Sequence, residues 1–109
     1  MTANDRRPIP SGEGSQLLRN WRKDNSVLLL ETFIPSTRQR REFLVRITNI
    51  FEGTQEFVLE VKTVDLPAQA FNINLTQSDF FMESKALHTV AVNGDEIAFS
   101  LSENINRDR

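Results

Sequence analysis

The chain contains no cysteine and a single histidine, His88, among its 109 residues. The first absence excludes a disulfide framework and any thiolate zinc site. The second leaves little for imidazole metal ligation or histidine general-base chemistry, and His88 reads as an ordinary structural or surface residue. A dominant charge sign is also missing. Thirteen basic residues face 15 acidic ones, a net charge of −2, so the chain as a whole carries no electrostatic footprint for nucleic acid. No apolar run approaches the ~20 residues needed to span a bilayer. The opening stretch "MTANDRRPIPSGEGS" has no apolar signal core, and a soluble cytoplasmic protein is expected. Carboxylates such as Glu52, Glu56, Asp65 and Asp95 lack a partner histidine or lysine and metal-ligand spacing. No Gly-rich phosphate loop or nucleophile motif occurs. Neither an enzyme nor a cofactor, metal site or small-molecule substrate is expected.

What is present fits one domain, large enough to bury a core without staples. Residues 1–14 hold two prolines, two glycines and no hydrophobic pattern. They bury too little apolar surface to offset ordering entropy, and a disordered tail is predicted there and again over 104–109. The folded domain is expected over 15–103. It begins with a short helix from Ser15 to about Asn25, with Ser15 as N-cap and Asn25 as stop. Leu17, Leu18 and Trp21 share one face of that helix, and Trp21 reads as a core anchor.

The remainder is strand-like. "SVLLLETFI" (26–34) is a buried run. In "EFLVRITNIF" (42–51), Phe43, Val45 and Ile47 alternate with Leu44, Arg46 and Thr48. "EFVLEVKTV" (56–64) points Phe57, Leu59 and Val61 inward, and "AFNINL" (70–75) does the same with Phe71, Ile73 and Leu75. Gly53-Thr54 marks a tight turn between two of these runs. "ALHTVAV" (86–92) and "EIAFSLS" (96–102) flank an Asn93-Gly94 turn, with Ile97, Phe99 and Leu101 inward. The predicted fold is therefore mostly β: an N-terminal short helix followed by a five- to six-stranded, strongly bent small barrel, the helix plugging one end. A flat open sheet with the helix on its face is the alternative. "DFFMES" places Phe80, Phe81 and Met82 together; adjacent aromatics in a strand face opposite ways, so one is buried in a turn or offered at an interface.

The densest basic cluster is Arg38, Arg40 and Arg41, in a predicted hairpin connection with Arg46 beyond it. Such a cluster contacts phosphates or simply solvates a loop tip. Repeated around an oligomer, it would build a strong positive field.

The order of elements, with "VNGDEIAFSL" (92–101) and "FLVRITNIFEGTQEFVLEV" (43–61), resembles the Sm-like family, which includes the Sm, LSm and Hfq proteins. Its second motif runs apolar, basic, Gly, often Asp, then alternating apolar residues; Asn93 stands here in the basic position. In the first motif Val45 replaces the usual Gly, Glu52 lies near the usual Asp, and Gln55-Glu56 stands where Met-Asn is usual. The resemblance implies a homo-oligomeric ring of six or seven subunits, a binding or scaffold protein joined edge to edge through "ALHTVAV" and "EIAFSLS". Leu87, Thr89, Ala91, Ile97 and Phe99 would lie on those edges. It also implies binding of single-stranded, uridine-rich RNA by the two motif loops, at positions that hold Thr54, Glu56, Asn93 and Asp95 here. Thr54 has no ring to stack on, Glu56 repels phosphate and Asn93 has no charge; Asp95 alone keeps the family's residue. The basic loop of Arg38, Arg40 and Arg41 is the other candidate RNA contact. The alternative is a monomeric or dimeric all-β interaction or structural module, a virion or complex component, without a nucleic-acid role.

Overall fold

The computed structural model describes residues 6–102. Of the expected tails, residues 1–5 and 104–109 lie outside the described residues. Residues 7–14, expected to be disordered as well, instead form a strand, β1 (Arg7–Ile9), and the first turn of a helix, α1 (Ser11–Lys23). Seven strands follow: β2 (Leu28–Ile34), β3 (Gln39–Glu52), β4 (Phe57–Thr63), β5 (Ala70–Asn74), β6 (Asp79–Glu83), β7 (Ala86–Val90) and β8 (Glu96–Leu101). They make one antiparallel sheet in the order β1-β6-β7-β8-β2-β3-β4-β5, which is open between β1 and β5. The mostly-β class and the N-terminal helix agree with the sequence reading. The strand number does not, because β1 and β6 join the six expected strands.

The open sheet is nevertheless curled. Strands β4 and β6 are five places apart in the sheet, about 24 Å if it were flat. The rings of Phe57 on β4 and Phe80 on β6 stack with centroids 6.0 Å apart. That contact requires the inward faces of both sheet halves to close on each other. One contributor is a bulge in β3: the pairing with β4 slips between Ile47 and Asn49. Thr48 is the extra residue, and its hydroxyl donates to the Glu60 carbonyl at 3.0 Å. The bulge bends the strand and shifts its phase. Inward residues run Phe43, Val45, Ile47 before it and Ile50, Glu52 after it, opposite Leu59 and Phe57.

The core inside the curl comprises Leu18, Trp21, Leu28, Leu30, Val45, Ile47, Phe57, Leu59, Val61, Ile73, Leu75, Phe80, Leu87 and Phe99, so the alternations specified register correctly. The helix begins four residues before the expected cap. Pro10 holds the N-cap position with no side-chain hydrogen bond. Ser15 is buried within the helix, where its hydroxyl donates to Glu52 Oε1 at 2.9 Å. The helix stops as predicted: Asn25 takes φ +54°, with Ser26 N–H donating to Trp21 O and Asn25 N–H to Arg22 O, both at 3.0 Å. This is the Schellman pattern, which satisfies two terminal carbonyls.

Candidate functional site

Helix α1 covers only one stretch of β3. Its side chains reach Glu52 through Ser15 and Arg19, and the Thr48 carbonyl through Arg22 Nε at 3.2 Å. Arg46 Nε returns to the Asn25 carbonyl at 3.3 Å. The other end of β3, from Gln39 to Phe43, stays uncovered. There the curled sheet opens into a mouth of about 630 Å³, lined among others by Ile34, Arg41, Phe43, Phe71, Asp95 and Ile97.

Register explains why these residues converge. The β2–β3 hairpin pairs Ile34 with Gln39, Phe33 with Arg40 and Thr32 with Arg41, so the predicted hairpin connection is only four residues, 35–38, and Arg40 and Arg41 lie on its second strand. Arg38 sits in that turn at φ +59°. Arg41 alternates to the inward face with Phe43, while Arg40 goes to the outward face, its guanidinium 4.5 Å from the Phe33 ring centroid. Such a stack orders the cation over an aromatic face. Phe43 and Phe71 meet at 5.4 Å with planes tilted by 56°, and both rings remain half-buried. Gln39 and Gln69 add amides to the same mouth, and Asp95 and Glu96 form an acidic side of its rim. Among the described residues the ion pairs are Arg6–Glu83 and Arg19–Glu52, and His88 Nε2 lies 3.4 Å from Glu83 Oε1. Arg38, Arg40 and Arg41 form no ion pair within the described part of the chain, although the Arg40 charge draws the Glu31 carboxyl down against its other neighbours.

The seven candidate RNA contacts do not form one site. Arg41 and Asp95 line the mouth, with Arg38 and Arg40 on the hairpin beside it. Thr54 and Glu56 line a separate polar cleft of about 700 Å³, between the β3–β4 turn and the segment from Leu75 to Phe80. Asn93 lines neither cleft and serves its turn, its Oδ1 accepting from Asp95 N–H at 3.0 Å. Gly94, at φ +95°, allows the chain to reverse there. The expected ring edges are not edges. Strand β7 lies between β6 and β8, and β8 between β7 and β2. Leu87, Thr89 and Phe99 are buried, and Ile97 packs against the core. Ala91 lies in the β7–β8 turn, its N–H donating to the Asp95 carbonyl at 2.9 Å. The hydrogen-bonding groups expected to serve a neighbour are used within the chain.

Sequence reasoning missed the three rings and two glutamines at the mouth. Phe33–Arg40 had a signal, because the two residues are equidistant from a four-residue hairpin turn. Phe43–Phe71 had none, since their contact crosses strands that pairing alone does not order.

Three titrating groups are displaced. Hydrogen bonds from Arg19 and then Ser15 hold the Glu52 carboxyl below its ordinary range. On the outward face, burial and then the Arg6 charge hold His88 down, against Glu83 and Glu96, which push it up. The imidazole is therefore neutral near pH 7. Burial and then the Glu42 carboxylate push Glu31 up; the two glutamates face each other directly across β2 and β3. A raised carboxyl favours the folded state in its protonated form, so this contribution is complete below the unfolded value near 4.5 and is lost as pH rises through the folded one. Glu31→Gln is expected to stabilise the protein at pH 7 by about 0.5 kcal/mol, the scale of a cross-strand like-charge pair. Urea titrations at pH 7 and at about pH 4 check this, the second showing the gap closed.

Among the described residues no three histidines or carboxylates converge to hold a metal ion, and no helix is long and apolar enough to cross a membrane. No protein-family model, curated protein or solved structure matches the chain.

Proposed function

We propose that this protein is a non-catalytic binding module for single-stranded RNA, acting through the β2–β3 hairpin and the mouth beside it. The observation that carries the reading is the meeting, on one lip, of three arginines that form no ion pair in the described chain with part-exposed aromatic rings. Single-strand binders combine these two elements, cations along the backbone and rings under the bases. Phe43 and Phe71 offer faces to a base. Gln39 and Gln69 offer both donors and acceptors to its edge, and Asp95 and Glu96 accept from a base N–H such as uracil N3–H. An Sm-like relationship stays within this proposal. It is supported by the strand–turn–strand form of both motif segments, around Gly53 and around Asn93-Gly94. The RNA contact, however, is assigned to the basic hairpin and not to Thr54, Glu56 and Asn93.

A second reading, a protein-interaction module, draws on the carboxylates of Glu31, Glu42, Asp95 and Glu96 around the same hairpin. Fluorescence anisotropy with a uridine-rich oligonucleotide at two salt concentrations separates the two. Wild type is expected to bind at low salt, and Arg38→Ala/Arg40→Ala/Arg41→Ala to weaken binding at least about tenfold. The triple change should also flatten the salt dependence by about two in log–log slope, from ~0.7 per phosphate contact. Binding that survives the triple change unaltered would move the site elsewhere. No binding at low salt would favour the second reading.

A further inference from the structure

Among the described residues the sheet has two open edges, and they differ. One is β1, where Arg6 and Arg7 bring charge and Pro8 lacks an N–H. Charge and proline are the usual means of blocking strand addition. The other is β5, and it has no such guard. From Leu66 to Ser78 the sequence "LPAQAFNINLTQS" holds no charged residue, and β5 itself holds neither proline nor bulge.

Hydrogen bonds on the β4 side fix which groups β5 leaves free. Thr63 N–H donates to the Gln69 carbonyl at 2.9 Å and Leu75 N–H to the Phe57 carbonyl at 2.8 Å. Between these pairs the register is continuous: Lys62–Ala70, Val61–Phe71, Glu60–Asn72, Leu59–Ile73 and Val58–Asn74. Hydrogen-bonded pairs alternate along an antiparallel ladder. Phe71 and Ile73 therefore turn their backbone groups toward β4. Ala70, Asn72 and Asn74 turn theirs to the open edge.

We infer that β5 joins β5 of a second copy of this chain, antiparallel, across a two-fold axis through Asn72. In that register Asn72 pairs with itself and Ala70 with Asn74 of the other copy. Every outward N–H and C=O of the strand finds a partner, and six backbone hydrogen bonds form, two for each of three pairs. On the inward face Phe71 lies opposite the copy's Ile73. On the outward face two Asn72 amides meet, each able to donate and to accept. The strand is self-complementary in a way a charged edge is not, and an isologous pair closes on itself as a dimer. The inference rests on the edge and not on RNA binding, although Phe71 belongs to both the edge and the mouth.

The test is light scattering after size exclusion, from low micromolar to several hundred micromolar protein. Wild type is expected to approach the dimer mass as concentration rises. Asn72 is exposed, so Asn72→Lys and Asn72→Asp are accommodated by the folded monomer. Each alone sets like charges face to face at the axis and should weaken the dimer at least about tenfold. Mixing the two variants should restore a dimer, which neither would do if it had merely unfolded. A wild type that remains monomeric throughout overturns the inference. So does a species of six or seven subunits, a dimer insensitive to both changes, or a mixture that stays monomeric.

Discussion

Gly14→Ala is expected to destabilise the protein by about 2 kcal/mol, although alanine is the better helix former by ~1 kcal/mol. Gly12→Ala, two residues earlier in the same helix, should instead stabilise it by about 0.5 kcal/mol. The difference lies in what each added methyl meets. At Gly12 nothing lies within 4 Å. At Gly14 the new Cβ would overlap Cδ2 of Phe80 and stand 2.9 Å from Cε2 and 3.0 Å from Cγ. That ring is 3% exposed and stacked on Phe57, so it has no free direction in which to swing. Either the helix lifts from β6 or the Phe57–Phe80 contact that closes the curl opens. Thermal unfolding reads both variants, with each kcal/mol moving the midpoint by roughly 4–8 °C in a domain of this size. Combining Gly14→Ala with Phe80→Ala should cost less than the sum of the two single changes, because the second removes the ring that the first strikes. Full additivity would show that the two residues do not share this contact.

The same contact marks where the fold stopped being legible. Six strands and their inward faces follow from period-two alternation, which is local. Phe57, Leu59 and Val61 must share a face wherever the strand goes. The β1–β6 pairing is not local. "RPI" has no alternation to detect, and a proline inside it argues against a strand except at an edge. "DFFME" does alternate, Phe80 inward and Phe81 outward beneath the Arg6 guanidinium, but its flanks read as a turn. The helix start was displaced for a related reason. Ser15 is a good cap by type, yet its hydroxyl is engaged by Glu52, 37 residues away, a tertiary partner that local preference does not foresee.

At the candidate site the arginines were legible and their setting was not. A basic cluster is visible as composition. Whether it faces solvent, carboxylates or rings depends on hairpin register and on which strands the curl brings near. The motif loops show the converse. Their sequences resembled a family pattern, and both form the tight turns that pattern requires. The edges that pattern would offer to neighbours are instead paired within the chain: β8 with β2, and β7 with β6 in a hairpin whose first strand comes from "DFFMES", which carried no strand assignment.

That hairpin makes one phenylalanine decisive. Strands β1, β6 and β7 join the remainder of the sheet only through β8, which pairs with β7 on one side and β2 on the other. Phe99 stands at the centre of β8, opposite Leu87 on β7 and Leu30 on β2, and all three are fully buried. Phe99→Ala removes a ring from both junctions at once and should cost about 3–5 kcal/mol, a large part of the ~5–15 kcal/mol that holds a domain folded. Urea titration should show a lower midpoint. The loss should also be uneven under hydrogen exchange. The β6–β7 hairpin is held through β8 and the Phe57–Phe80 stack, whereas β3 and β4 pair along most of their length. Amides of β6 and β7 should therefore lose protection by more than those of β3 and β4. Equal loss across the sheet would mean that the two halves open as one unit, and that β8 is not the seam between them.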